Sequence, residues 1–257
     1  MDYDFLQHVA SDIAVHQKFL PPNTFQTQAQ LNMIENWTNT NKMKLNPTKC
    51  SYMVFSRSKE EFATRLSING VNIDRVPYMK ILGVWISQDL SWSKNCQEIC
   101  KRAYSRLSMI TKLKYVGVSQ EDLINIYILF IRSITEYCAV SFHSSLTKAQ
   151  SDKLEKIQKT CLKIIPGDLY IDYQSALLEC GLQTLSERRK IRCLDFAKKS
   201  IKHERNSRLF PKNENKNTQN LRNPEIFKVN FARTSDYQSS SIPYCQRLLN
   251  EHFTRKV

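Results

Sequence analysis

Glycine is scarce in this 257-residue chain, five in all, and each stands alone. A nucleotide-cradling loop needs clustered glycines so that backbone amides can close on phosphates, so Walker-type and dinucleotide loops are excluded. There is no Gly-x-Ser-x-Gly turn and no His-Glu-x-x-His helix. The five histidines (His8, His16, His143, His203 and His252) fall in separate segments and suggest no ligand set or catalytic group. Cys-x-x-Cys pairs are missing too. Cys96 and Cys100 stand one helical turn apart with no histidine or second pair nearby, so the eight cysteines read as buried free thiols rather than a zinc site. No apolar run approaches the roughly 18 residues of a membrane-spanning helix. The first 22 residues begin acidic and lack a continuous apolar centre, unlike a signal peptide. The expectation is a soluble, intracellular protein that binds no membrane and no metal by itself.

What is present is positive charge. Lysine and arginine number 38 against 24 acidic residues, a formal charge of +14, while the 41% apolar content is that of a globular chain. Such a surplus favours a polyanionic partner, first of all nucleic acid.

Periodicity divides the chain near residue 90. Residues 1–22 form an arm ending in Pro21-Pro22. From Thr24 to about Asn41, Leu31, Ile34 and Trp37 mark a helical face, with Met33 beside them, and the Asn-rich end suits its termination. Short extended segments follow. Met43 and Leu45 alternate with Lys42 and Lys44, and Tyr52–Phe55 reads as an apolar strand. The stretch 66–73 carries Asn69-Gly70, the two positive-φ positions of a hairpin turn. Tyr78–Ile86 reads as a further strand broken at Gly83. Beyond Leu90 the period becomes helical. Trp92, Cys96, Ile99, Ala103, Leu107 and Ile110 lie on one face. A helix over Leu123–Phe142, apolar on nearly every side, is opened by a capping box at Ser119–Asp122, and its Glu136 would pair with Arg132 one turn earlier. Thr147–Gln150 caps a helix through Ile164 that Pro166-Gly167 stops, and Thr184–Glu187 caps another along Leu185, Ile191, Leu194 and Ile201. Residues 206–257, basic and rich in Asn, read as a loosely ordered tail.

The chemistry-bearing feature is the helix after Trp92, where Lys94, Lys101, Arg102, Arg106, Lys112 and Lys114 alternate with Tyr104 and Tyr115. Cations in such a row can follow a phosphate backbone while an aromatic packs on sugar or base. A solvated helix face would show the same composition.

The order of blocks carries more than any one of them. A helix ending at Trp37 is followed by "KMKLNPTKCSYMVF", "RLSINGVNI" and "YMKILGVWISQDLSW", then the basic helix, "LINIYILFIRSITEYCAVSFHSSLT", "LEKIQKTCLKIIPG", "ALLECGLQTLSERR" and "SSIPYCQRLLN". This series, over roughly residues 25–250, resembles the downstream palm and thumb of non-LTR (LINE-type, jockey-like) retrotransposon reverse transcriptases. Ser141-Phe142 departs from it, since those elements often have tryptophan there. The resemblance implies an α+β fold, mostly α overall: a partial palm with a small antiparallel β portion over 23–90, then a helical thumb and downstream bundle over 91–205. It implies that "KMKLNPTKC" is similar to motif D, with Lys49 approaching the leaving pyrophosphate. It implies that "YMKILGVWI" is similar to the primer grip, with Leu82, Gly83, Val84 and Trp85 holding the 3′ end and Gly83 letting backbone approach a phosphodiester. The basic helix would be the thumb along an RNA–DNA hybrid or duplex. The intact family holds Mg2+ between aspartates, one pair in Tyr-x-Asp-Asp. Here "MDYDFL" offers Tyr3 and Asp4 but no adjacent pair. The expectation is therefore a truncated RNA-directed DNA polymerase without catalysis of its own. A nucleic-acid-binding module and an inert relic of a decayed element stay open beside it.

Overall fold

The computed structural model describes residues 24–55, 65–213 and 226–254. The arm over 1–22 lies outside them. The chain divides into two compact units, Met1–Lys94 and Asn95–Val257, a little past the expected boundary. Helix dominates, as the sequence implied.

In the first unit, helix α1 covers Thr24–Thr40. Leu31 and Ile34 are half-buried, whereas Met33 and Trp37 are exposed. The helix ends on Lys42 in the left-handed region (φ 56°), and the Met43 N–H donates back to the Thr38 carbonyl at 2.8 Å. Lysine rather than a neighbouring asparagine takes that conformation, while Asn41 instead donates its side-chain amide to the Trp37 carbonyl. Residues 43–46, read as alternating strand, run into a 3-10 turn at Pro47–Lys49. Among the described residues six short strands follow: β1 Ser51–Tyr52, β2 Ser67–Ile68, β3 Val71–Asn72, β4 Asp74–Arg75, β5 Tyr78–Ile81 and β6 Val84–Ser87. They form three separate two-stranded ladders. The expected hairpin at Asn69-Gly70 is present, with φ of 52° and 74° and Ile68 opposite Val71. Two corrections follow. The pairing of β1 with β4 is parallel, so the β portion is not wholly antiparallel. The strand expected over Tyr52–Phe55 stops at Tyr52.

The small core here is Leu66, Ile68 and Ile73, covered by Leu31, Leu45, Cys50 and Tyr52. Gln28 fastens α1 to it: its side-chain amide accepts from the Ser67 N–H at 3.0 Å and donates to the Ser67 carbonyl at 2.8 Å, pairing with β2 as a strand would.

The second unit begins within α2, Ser93–Tyr115, whose Cys96, Ile99, Ala103, Leu107 and Ile110 are buried as the periodicity required. The apolar stretch that follows is not one helix. It runs as α3 (Gln120–Ile126), a π-helical segment (Tyr127–Arg132) and α4 (Ser133–Glu136), then breaks at Cys138, φ 51°, before α5 (Ala139–Phe142). It is also not buried all round, since Leu129, Phe130 and Tyr137 are exposed. A π turn re-registers the backbone ladder, and side chains take up nearby carbonyls. The Ser133 hydroxyl donates to the Leu129 carbonyl at 2.6 Å and Arg106 Nη1 to the Phe130 carbonyl at 2.8 Å. At the start of α3 the Ser119 hydroxyl accepts from the Asp122 N–H, half of the expected box.

Helices α6 (Lys148–Ile164), α7 (Tyr173–Glu179) and α8 (Leu185–Ser200) complete the centre of this unit, and α6 and α8 open with full capping boxes at Thr147 and Thr184. The core stripe of α8 is Leu185, Arg189, Cys193 and Ala197, not the expected line through Ile191, which is exposed. An arginine occupies a core position, a residue type that burial rules assign to the surface. Short helices α9 (Glu204–Ser207) and α10 (Ser235–Gln238) precede α11, Ser241–Thr254. The expected loose tail needs correcting over 226–254. Phe227, Cys245, Leu248 and Leu249 close a core with Cys193, Ala197 and Phe210, because the apolar positions of α11 recur at helical spacing against α8. Among the described cysteines five are buried, but Cys138, in the helix break, is exposed.

Candidate nucleic-acid interface

Lys49 is exposed at the end of the 3-10 turn. Local chemistry sets that turn. Asn46 accepts from the Thr48 N–H (3.1 Å) and hydroxyl (2.7 Å), and Pro47 supplies a first position that needs no donor. The lysine thus stands on a rigid step just before β1.

The stretch 78–87 is a hairpin rather than one interrupted strand, with Lys80 opposite Trp85 and Ile81 opposite Val84. Leu82 and Gly83 form its two-residue turn with φ of 47° and 86°. The turn itself requires the glycine, because the second position of this type favours a residue without a Cβ. Leu82 and Gly83 are exposed at the tip and Val84 and Trp85 half-buried behind it. Lys94 lies over the Trp85 ring, 5.1 Å from its centroid, a cation–π contact that occupies both.

The basic residues of α2 in the second unit separate into two groups. Lys114 turns inward: its ammonium donates to the Ile164 and Ile165 carbonyls at 2.6 and 3.0 Å, closing the C-terminal end of α6. Arg106 is committed to the Phe130 carbonyl. Lys101, Arg102 and Lys112 are exposed, and none makes an ion pair among the described residues. At 100° per residue, Lys101 and Lys112 point almost directly away from the buried line through Ala103 and Ile110, while Arg102 lies to one side. Of the six cations singled out in the sequence, these three are free to meet a phosphate.

Two polar centres escaped the sequence reading. Glu136 pairs with Arg132 as expected (3.7 Å), but it is gripped far more closely by Arg188, through Nε and, at 3.0 Å, Nη2. Arg192 adds a third cation at 3.6 Å. Arg189 is fully buried; its guanidinium donates to Ser151 Oγ (3.0 Å) and His143 Nδ1 (3.4 Å). The His143 pKa is pushed down to about 4, chiefly by burial and then by the charges of Arg189 and Lys190. Nδ1 accepts from Arg189, and the Tyr244 hydroxyl lies 3.4 Å from Nε2. The cap at Thr184–Glu187 was legible in the sequence; which of the two arginines after it turns inward was not.

Among the described residues no group of three or more His, Cys, Asp or Glu side chains could hold a metal ion, and the sequence contains no two adjacent aspartates. Also among them, no single helix is long and apolar enough to cross a membrane. In comparisons with known proteins, the chain matches no family model, no curated protein and no solved structure.

Proposed function

We propose that this chain is a reverse-transcriptase-derived nucleic-acid-binding module of the non-LTR type, which grips an RNA–DNA hybrid or duplex through its phosphates and does not polymerise by itself. The observation that carries this reading is the trio Lys101, Arg102 and Lys112, exposed on α2 without carboxylate partners in a chain of net charge +14. Cations left unpaired on a rigid helix contribute to binding by releasing counterions from a polyanion. The ordered series of sequence blocks supports the family origin. The tight hairpin turn at Leu82-Gly83 is compatible with a primer-grip element. The lack of adjacent aspartates supports absence of catalysis, since nothing visible would hold the metals that activate a primer hydroxyl.

The test is fluorescence anisotropy with a labelled RNA–DNA hybrid. The wild-type chain should bind with a steep salt dependence. Lys101→Gln/Arg102→Gln/Lys112→Gln should weaken binding at least tenfold and lower the log–log salt slope by nearly three, at about 0.9 per phosphate contact. Unchanged affinity in that variant would sink the proposal.

A further inference from the structure

Helix α6 runs beside α2 in the same direction. Lys153, early in α6, lies close enough to the Cys96 and Cys100 thiols to act on both. One turn on, the Tyr104 hydroxyl meets the Thr160 side chain. At the far end Lys114 reaches the carbonyls that terminate α6. The seam between the two helices is thus marked by neighbours at three levels and fastened at two of them, by Tyr104 and by Lys114.

Angular positions decide what flanks that seam. On α2 the buried line centres on Ala103; turning from it past Tyr104, the next outward side chains are Lys101 and Lys112. On α6 the buried line runs through Leu154, Cys161 and Leu162; turning past Lys153 and Thr160, the next outward are Lys156 and Lys163. The two rotations have opposite sense, as they must for parallel helices sharing one outer surface. Lys101, Lys112, Lys153, Lys156 and Lys163 are all exposed, Lys163 over the Tyr170 ring at 5.8 Å from its centroid, and Tyr104 is 39% exposed between the rows. Of the two acids on α6, Asp152 is exposed one turn before Lys156, while Glu155 is turned away from this surface. The Glu155 carboxylate accepts from Tyr173 and from the Leu185 and Ser186 N–H groups at the start of α8, leaving Asp152 as the only other carboxylate on this helix.

We propose that α6 supplies the second half of the phosphate-contacting surface, so that a duplex backbone lies along the α2–α6 seam between two rows of lysines with Tyr104 beneath it. This rests on the nucleic-acid reading above and extends it to a helix that the sequence did not single out. Rows on two parallel helices at fixed spacing fit a regular double-stranded polyanion, which positions itself through backbone contacts without base readout.

The test titrates salt against binding of the full chain to the labelled hybrid. Lys156→Gln/Lys163→Gln should shallow the log–log slope by about two, as should Lys101→Gln/Lys112→Gln. Lys156→Arg/Lys163→Arg should keep the wild-type slope, and Lys199→Gln/Lys228→Gln, with the same loss of net charge at exposed positions elsewhere, should leave it nearly unchanged. A wild-type slope in Lys156→Gln/Lys163→Gln, with the α2 variant impaired, overturns the two-helix surface and leaves the α2 reading standing. A loss equal to that of the Lys199/Lys228 control overturns it as a mere net-charge effect. No binding by wild type, or binding only to phosphatidylserine vesicles, overturns both readings.

Discussion

Lys114 shows how little residue type says about role. It belongs to the same basic row as Lys112, two positions away, yet a further 200° around α2 places it on the core side, where it closes the carbonyl end of α6. Gly167 suits that arrangement: its φ of 65° is one that side-chain-bearing residues rarely adopt, and a Cβ there would displace the Lys114 ammonium, 2.2 Å away. Lys114→Met should lower stability by about 1.5–3 kcal/mol, the worth of hydrogen bonds from a charged donor, and leave affinity for a hybrid unchanged. Denaturant unfolding combined with anisotropy separates the two effects, and weaker binding at full stability would contradict this assignment. His143 gives a second residue-scale outcome. Its folded pKa of about 4 lies below the ordinary 6.5, so between those values the unfolded chain binds the extra proton. The neutral ring's contribution is whole above pH 6.5 and is lost as pH falls toward 4. Its slope stays under about 1.4 kcal/mol per pH unit, the most that a single proton can contribute. Between pH 7 and 5 the wild-type melting temperature should drop more than that of His143→Gln, and parallel pH profiles would refute it.

At the scale of elements, the stretch 120–142 shows that composition fixes helix content better than helix continuity. Its apolar residues outnumber the places one neighbouring face can cover. The π segment and the left-handed Cys138 redirect them, burying Tyr127, Ile131 and Phe142 and leaving Leu129 and Phe130 outside. Glu136 then joins α4 to α8 through Arg188 and Arg192. Its side chain is only 9% exposed, so neutralising it strands cations that it alone holds together. Arg132 is already disfavoured as a cation by burial first and by Arg188 next. Glu136→Gln should therefore cost about 3 kcal/mol, the range for breaking one partner of a buried pair. Urea denaturation measures this, and a change below 1 kcal/mol would mean that solvent screens the cluster.

For the whole molecule, the proposed reading pairs a surplus of positive charge with a sequence in which no two aspartates are adjacent. The two are compatible if affinity and catalysis reside in different residues, as phosphate contact needs only unpaired cations while nucleotide addition needs metal-holding carboxylates. The expected outcome with primed template, nucleotides and magnesium is binding without primer extension. Extended product from the purified chain would restore the enzyme reading.

The sequence by itself determined what is local. The Asn69-Gly70 turn, the caps at Thr147 and Thr184, the buried line of α2 and the net charge were all legible there, because each depends on neighbouring residues or on simple counting. Tertiary structure decided what depends on partners distant in the chain. It turned Gly83 from a strand break into a hairpin turn and brought residues 226–254 into a core with α8. It placed Arg189 inside, bound Glu136 to Arg188 and Arg192, and turned Glu155 toward the start of α8, leaving Asp152 as the exposed acid of α6. A cation or a carboxylate looks the same in sequence whether water or protein solvates it. Only packing settles which, and with it which of these lysines are left for a partner.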